Sequence, residues 1–178
     1  MKSFVIVVKD NNISESGYQE LKESYDTYGH HDGIEPYYAI DAHKAEMYAR
    51  GNGLDWNYPW EGKVTDLKTG LVKSAYPTAD RGKRISCFLS HWYLWQRCKQ
   101  LDEMICVLEH DARFIKKLPS DRTFNNCKYD IIGINDPSMA TRKSKDYHDA
   151  ILSKTDFFQP VPVIDEVHIP QGLAGNSA

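Results

Sequence analysis

No apolar run in this 178-residue sequence approaches the roughly 20 residues that a membrane-spanning helix needs; the longest early one stops at Phe4 to Val8. A signal-peptide core with a small-residue cleavage site after Lys2 is missing as well, so the chain reads as cytoplasmic and without stable membrane insertion. Neither sign of charge prevails. Twenty-two Lys+Arg against 25 Asp+Glu leave a formal net charge of -3, which excludes a global basic field drawing the surface onto nucleic acid or anionic lipid. A nucleic-acid partner is not indicated by that balance and would need a local patch, for which only Lys68, Lys73, Arg81, Lys83 and Arg84 gather in one stretch. The four cysteines, Cys87, Cys98, Cys106 and Cys127, are too few for a disulfide framework, and none stands at a C-x2-C or C-x4-C zinc spacing. They are expected to be buried thiols. Internal repeats and low-complexity tracts are also missing. What is present, 41% hydrophobic and 26% charged residues, is the mix of a soluble globular protein, and the length suits one domain over residues 1–178.

Phe4-Val-Ile-Val-Val-Lys9 is a β-branched run of the kind buried on both sheet faces, closed by Asp10-Asn11-Asn12. Ser16 with Gln19 fits a capping box, and Tyr18, Leu21, Tyr25 and Tyr28 recur at helical spacing before Gly29. Ile34 to Ile40 reads as a second strand, so the opening residues form a β-α-β unit with a parallel sheet. Residues 50–83 lack a sustained period and are crowded with glycine and proline, which predicts a long loop acting as a lid. Trp56, Tyr58 and Trp60 within it suit stacking on a sugar or base and a loop-covering cluster equally well. From Arg84 to about Leu101 a helix is predicted, with Ile85, Phe88, Leu89, Trp92 and Trp95 as a core stripe. Met104 to Leu108 is a further strand delivering Glu109-His110-Asp111 to the carboxyl edge, where open α/β sheets bind ligands. Asp130 to Ile134 and Val161 to Ile169 read as strands, and residues 137–159 as polar and mobile.

Glu109 and Asp111 lie two apart, so in a strict strand they share a face and can converge on a hard divalent cation. Mg²⁺ or Mn²⁺ held there would stabilise charge growing on a departing diphosphate, although acidic residues at strand ends are more often simply solvated. His110 is placed by alternation on the opposite face. Ser90 and His91 are adjacent on a helix, about 100° apart, and cannot form a hydrolase dyad. His30, His31 and His43 have no ligand-spaced partner and read as solvated.

Arg84-Ile-Ser-Cys-Phe-Leu-Ser-His91, then Leu94-Trp95, then Ile105-Cys-Val-Leu-Glu-His-Asp111 resembles the signature of glycosyltransferase family 25, in which a G-C-x-x-S-H-x-x-x-W helix precedes an L-E-D-D strand end. Tyr37-Tyr-Ala-Ile-Asp41 is similar to that family's second strand, and Gly172-Leu-Ala-Gly-Asn-Ser-Ala178 to the start of a later motif, so a C-terminal part of the fold is expected beyond this sequence. Three positions depart from the pattern: His110 replaces an acid, Ser86 a glycine, and Lys83 an apolar or small residue. The resemblance implies a GT-A-like fold, a Rossmann-type, mixed and mostly parallel sheet flanked by helices. It also implies inverting transfer of a sugar from a nucleotide-diphosphate donor, read as UDP-linked, to a hydroxyl acceptor with Mn²⁺ or Mg²⁺. Under it Glu109 and Asp111 hold the metal, with Asp111 counted among the catalytic residues. Val8, Lys9, Asp41, Arg84, Ser90 and His91 bind the nucleotide sugar, although helix anchoring and a satisfied buried histidine stay open for Ser90 and His91. The general base comes from Asp136, Asp165 or Glu166, with Asp136 and Glu166 taken as catalytic. The acceptor is a lipopolysaccharide-type carbohydrate or, alternatively, a hydroxymethylated phage DNA base. The rival reading is a non-catalytic sugar-nucleotide or carbohydrate-binding domain.

Overall fold

A computed structural model describes residues 1–28, 33–68, 70, 72–75, 78–134, 144–156 and 158–160. The expectations for Gly29, His30, His31, Asp136, Asp165, Glu166, the strand 161–169 and the segment 172–178 lie outside those residues.

By its contacts the chain falls into two units. The first, residues 1–56 and 78–126, is the α/β unit. Its sheet has the order β2-β1-β5, with β1 (Lys2–Val7) parallel to both β2 (Ile34–Tyr38) and β5 (Ile105–Glu109). This is the α/β class with a parallel, Rossmann-like sheet that the sequence predicts. The central strand is apolar throughout because both its faces are covered. Val5 and Val7 join Cys106, Leu108 and Phe114 under Leu21 and Tyr25 of α1 (Asn12–Thr27). Phe4 and Ile6 pack on the other face with Leu94 of α3 (Arg81–Leu101).

The first helix starts earlier than the capping box suggested. Asn11 is the cap and accepts the Ser14 N–H, while the buried Ser14 hydroxyl accepts the Val8 N–H at 2.8 Å. Asp10 turns the chain with φ +56°, a left-handed conformation that aspartate tolerates better than most residues. Gly17 is required for a different reason: a Cβ there would sit 2.7 Å from the His110 carbonyl oxygen, so α1 presses directly on the turn after β5. Gly17→Ala is expected to cost about 1–3 kcal/mol by overpacking, read as a lowered melting temperature. An unchanged melting temperature would show that the two backbones are not in contact.

Ala42–Lys44 forms a 3-10 turn capped by Asp41, and α2 (Ala45–Gly51) follows. The third helix begins three residues before the apolar pattern because Asp80 caps it by accepting the Lys83 N–H. The core stripe expected on it is corrected. Its buried residues are Ile85, Ser86, Leu89, Ser90 and Leu94, while Phe88 and Trp95 are 38% and 48% exposed. Small serines take the closely packed side, and the bulky rings are left outside it. Trp56 stands edge-on against Phe88 at 6.1 Å, which favours a covering role for that aromatic. A short helix, α4 (Asp121–Asn125), ends the described part of this unit.

The second unit, residues 57–77 and 127–178, contains the antiparallel pair β3 (Lys63–Thr65) and β4 (Val72–Ser74), together with α5 (Ser144–Leu152). The stretch 50–83 is therefore not structureless, since it holds the end of α2 and this hairpin. Lys73 is neutralised by Asp66 at 2.9 Å, which weakens the basic stretch noted in the sequence. Two further expectations are corrected. Asp130–Ile134 makes no strand, with Ile131 and Ile134 exposed, and α5 occupies part of the stretch read as mobile. Among the described residues no helix is long and apolar enough to cross a membrane.

Candidate functional site

The sheet's strand order places two crossovers back to back at β1. One runs from β1 through α1 to β2, and the other from β2 through α3 back past β1 to β5, so β1 has its sequence neighbour on one side and β5 on the other. Open α/β sheets bind ligands at such a switch point. Two groups of side chains collect near the end of β5.

The first follows from alternation along the strand. Ile105 and Val107 pack toward α3 with Phe4, Ile6 and Leu94, and Glu109 continues that face. It meets Cys87 and His91, four residues apart and therefore on one side of α3. Glu109 Oε1 lies 3.2 Å from His91 Nε2 and 3.9 Å from Cys87 Sγ. Burial alone would lower the His91 pKa, but hydrogen bonds with Cys87 and Glu109 and the charges on those groups outweigh it and raise it to about 9. His91 and Glu109 stand within ion-pair distance. The Trp95 ring lies 6.4 Å from the His91 ring.

The second group forms where β5 stops. Ala112 N–H returns to the Glu109 carbonyl at 3.0 Å, and this turn ends the two-residue alternation. Asp111, which is exposed, consequently lines an open concavity of about 700 Å³ with His110 and Arg113 and with Asn12, Ser16 and Glu20 of α1. Glu109 does not line it, and Asp111 is not among the three ligating groups gathered around Glu109. The base of the turn is fixed to α1, because the Phe114 N–H donates to the Ser24 hydroxyl at 3.0 Å and the Phe114 ring stands edge-on to Tyr25.

The remaining predicted residues divide between these groups and the scaffold. Val8 and Lys9 are exposed at the carboxyl end of β1, the Val8 N–H being taken by Ser14. Asp41 is exposed and its carboxylate accepts the His43 N–H at 2.9 Å. Arg84 is half-buried in the first turn of α3. Ser90 is wholly buried; its hydroxyl donates to the Ser86 carbonyl and accepts the Ile40 N–H, while the Ser86 hydroxyl donates to the Ile40 carbonyl. Two serines one turn apart thus clamp the peptide groups of Ile40, so Ser90 stands where helix anchoring places it. His110 lies over Gly17, on the α1 side and away from Glu109, but because β5 ends at Glu109 it lines the same concavity as Asp111, which corrects the expectation that it faces away from both acids. His110→Asp would add a second carboxylate to the concavity beside Asp111 and is therefore expected to raise Mn²⁺ affinity, read by titration with the ion. Unchanged Mn²⁺ affinity would show that position 110 stays outside the ion's shell.

Sequence reasoning missed the grouping of Cys87 with His91 and Glu109. Cys87 is exposed and Cys98 and Cys127 are partly so; only Cys106 is buried, which corrects the expectation for the thiols. The overlooked signal was C-x3-H, a spacing that joins two ligands on one helical face, followed by an acid at the next strand end.

Comparison with known proteins adds one match. Residues 73–154, which include α3, β5 and the turn bearing Asp111, match the model of glycosyltransferase family 25 (LPS biosynthesis protein). No curated protein and no solved structure gives a significant match. The matched stretch, residues 73–154, is somewhat less than half of the chain, and its likeness to that family supports a glycosyltransferase activity.

Proposed function

We propose that this glycosyltransferase moves a sugar from a nucleotide-diphosphate donor, UDP-linked in our reading, to an acceptor hydroxyl at the carboxyl ends of β1 and β5. The observation that supports this best is the concavity at that edge, where Asp111 and Arg113 of the family-25 domain face the first turns of α1. Donor phosphates would find the Arg113 guanidinium and the N-terminal turn of α1 there, a cation and a set of backbone donors suited to anions. Asp41 and the Val8-Lys9 turn, which follow β2 and β1, would face the nucleotide.

Hard cations such as Mg²⁺ and Mn²⁺ are usually held by one or two carboxylates, with waters and substrate phosphates completing the shell. The exposed Asp111 carboxylate fits that role. Glu109 fits it less well, since its oxygen sits among a thiol and an imidazole. An ion on Asp111 would supply neutralisation of the charge that grows on the diphosphate. His91 stands beside Glu109 close to the end of β5. Inversion also requires a base for the acceptor hydroxyl, for which Asp136, Asp165 and Glu166 are the candidates from the sequence. The acceptor is proposed to be a carbohydrate of the lipopolysaccharide type, in keeping with the description of the matched family.

The test is incubation of the purified protein with a panel of nucleotide sugars, with and without Mn²⁺, following release of nucleotide diphosphate. Slow hydrolysis of one donor without acceptor, faster with metal, is expected. Binding without release would instead identify a sugar-nucleotide-binding domain, and neither binding nor release would contradict both readings.

A further inference from the structure

We propose that Cys87, His91 and Glu109 form a binding site for one borderline-soft divalent cation of the Zn²⁺ type, distinct from any hard ion on Asp111. Each residue offers one ligand atom, and the three atoms lie within 4.8 Å of one another, the only such group of three among the described residues. Their separations suit a shared ion. Zn–S near 2.3 Å and Zn–N or Zn–O near 2.1 Å at tetrahedral angles put nitrogen and oxygen about 3.4 Å apart, and sulfur and oxygen about 3.6 Å apart. The protein has 3.2 Å and 3.9 Å for these two pairs, each within a few tenths of an ångström of that geometry, and the third pair, Cys87 with His91, lies within 4.8 Å.

The donor set decides the class of ion. A thiolate and an imidazole favour zinc and its neighbours over Mg²⁺ or Ca²⁺, which prefer oxygen throughout. Three protein ligands leave a fourth position for water or substrate, the pattern of open zinc sites. The frame is prearranged: Cys87 and His91 are one turn apart on a 21-residue helix, and Glu109 ends a strand paired to β1. Ser86 and Ser90, the immediate neighbours of those two ligands, lock the rotation of the helix onto Ile40. The exposed Cys87 provides an entry path. The ligating forms would be thiolate, neutral imidazole and carboxylate, so binding is coupled to pH.

The experiment needs no donor sugar, so its outcome is separate from that of the transfer reaction. The purified chain is titrated with Co²⁺, whose bond to a thiolate gives an intense near-ultraviolet band, and Zn²⁺ is then added as competitor. One equivalent of Co²⁺ with that band, displaced by Zn²⁺ and not by Mg²⁺, is expected. The band should vanish in Cys87→Ser and persist in Asp111→Ala. In parallel, alkylation of Cys87, followed by peptide mass, should slow at least tenfold with one equivalent of Zn²⁺ and not with Mn²⁺. Because Cys87 is exposed, its serine variant should fold, and circular dichroism checks this. A missing band, a band that survives Cys87→Ser, or alkylation indifferent to Zn²⁺ would overturn the site and leave a His91–Glu109 ion pair beside an ordinary thiol.

Discussion

Asp111→Ala is expected to lower sugar transfer by roughly a hundredfold or more, since metal stabilisation of a leaving group is worth several kcal/mol and about 1.4 kcal/mol corresponds to a decade in rate. Folding stability should change by no more than about 0.5 kcal/mol, because the side chain is exposed on a turn whose anchorage comes from Gly17, Ser24 and Phe114. Rates measured at matched folded fraction, across a range of Mn²⁺ concentrations, check both halves. Parent-like turnover in the variant would remove Asp111 from the site. Loss of activity with an equal loss of stability would make it a structural residue.

Ser90→Ala is expected to act on the fold first. The substitution leaves the Ile40 N–H without its 3.1 Å partner at a partly buried position, at a cost of about 1–3 kcal/mol. For a chain of this size each kcal/mol shifts the melting temperature by about 2–4 °C, so a drop of several degrees is predicted. Donor affinity at low temperature should stay close to that of the parent. The opposite pattern, full stability with lost donor binding, would show that the hydroxyl contacts the nucleotide sugar, as the family resemblance alone implies.

These expectations show what a sequence discloses and what it hides. The central strand was legible because burial on both faces demands an unbroken run such as Phe4 to Val7, a signal that no surface element mimics. The carboxyl-edge position of Glu109-His110-Asp111 was legible for the same reason, one apolar strand earlier. The sharing of a face by Glu109 and Asp111 was not, because alternation holds only while the strand lasts and β5 ends at Glu109. On α3 the apolar spacing of Phe88, Trp92 and Trp95 suggested the wrong inner side. Small residues such as Ser86 and Ser90 are what a close approach to Ile40 needs, and hydrophobicity alone does not register them. Asp130 to Ile134 has strand-like composition, yet β structure depends on a partner edge, and the described residues supply none there. The Cys87–His91–Glu109 group joins a helix to a strand end 18 residues after His91, a proximity that only the packing of α3 on the sheet creates.

The central claim is that the donor occupies the carboxyl edge between β1 and β5, and amide chemical shifts recorded while a nucleotide sugar is titrated with diamagnetic Mg²⁺ test it most directly. The account predicts saturable shifts at residues 8–16 and 109–113, with the Asp111 and Arg113 amides among the largest. Saturable binding with those amides unmoved would contradict it.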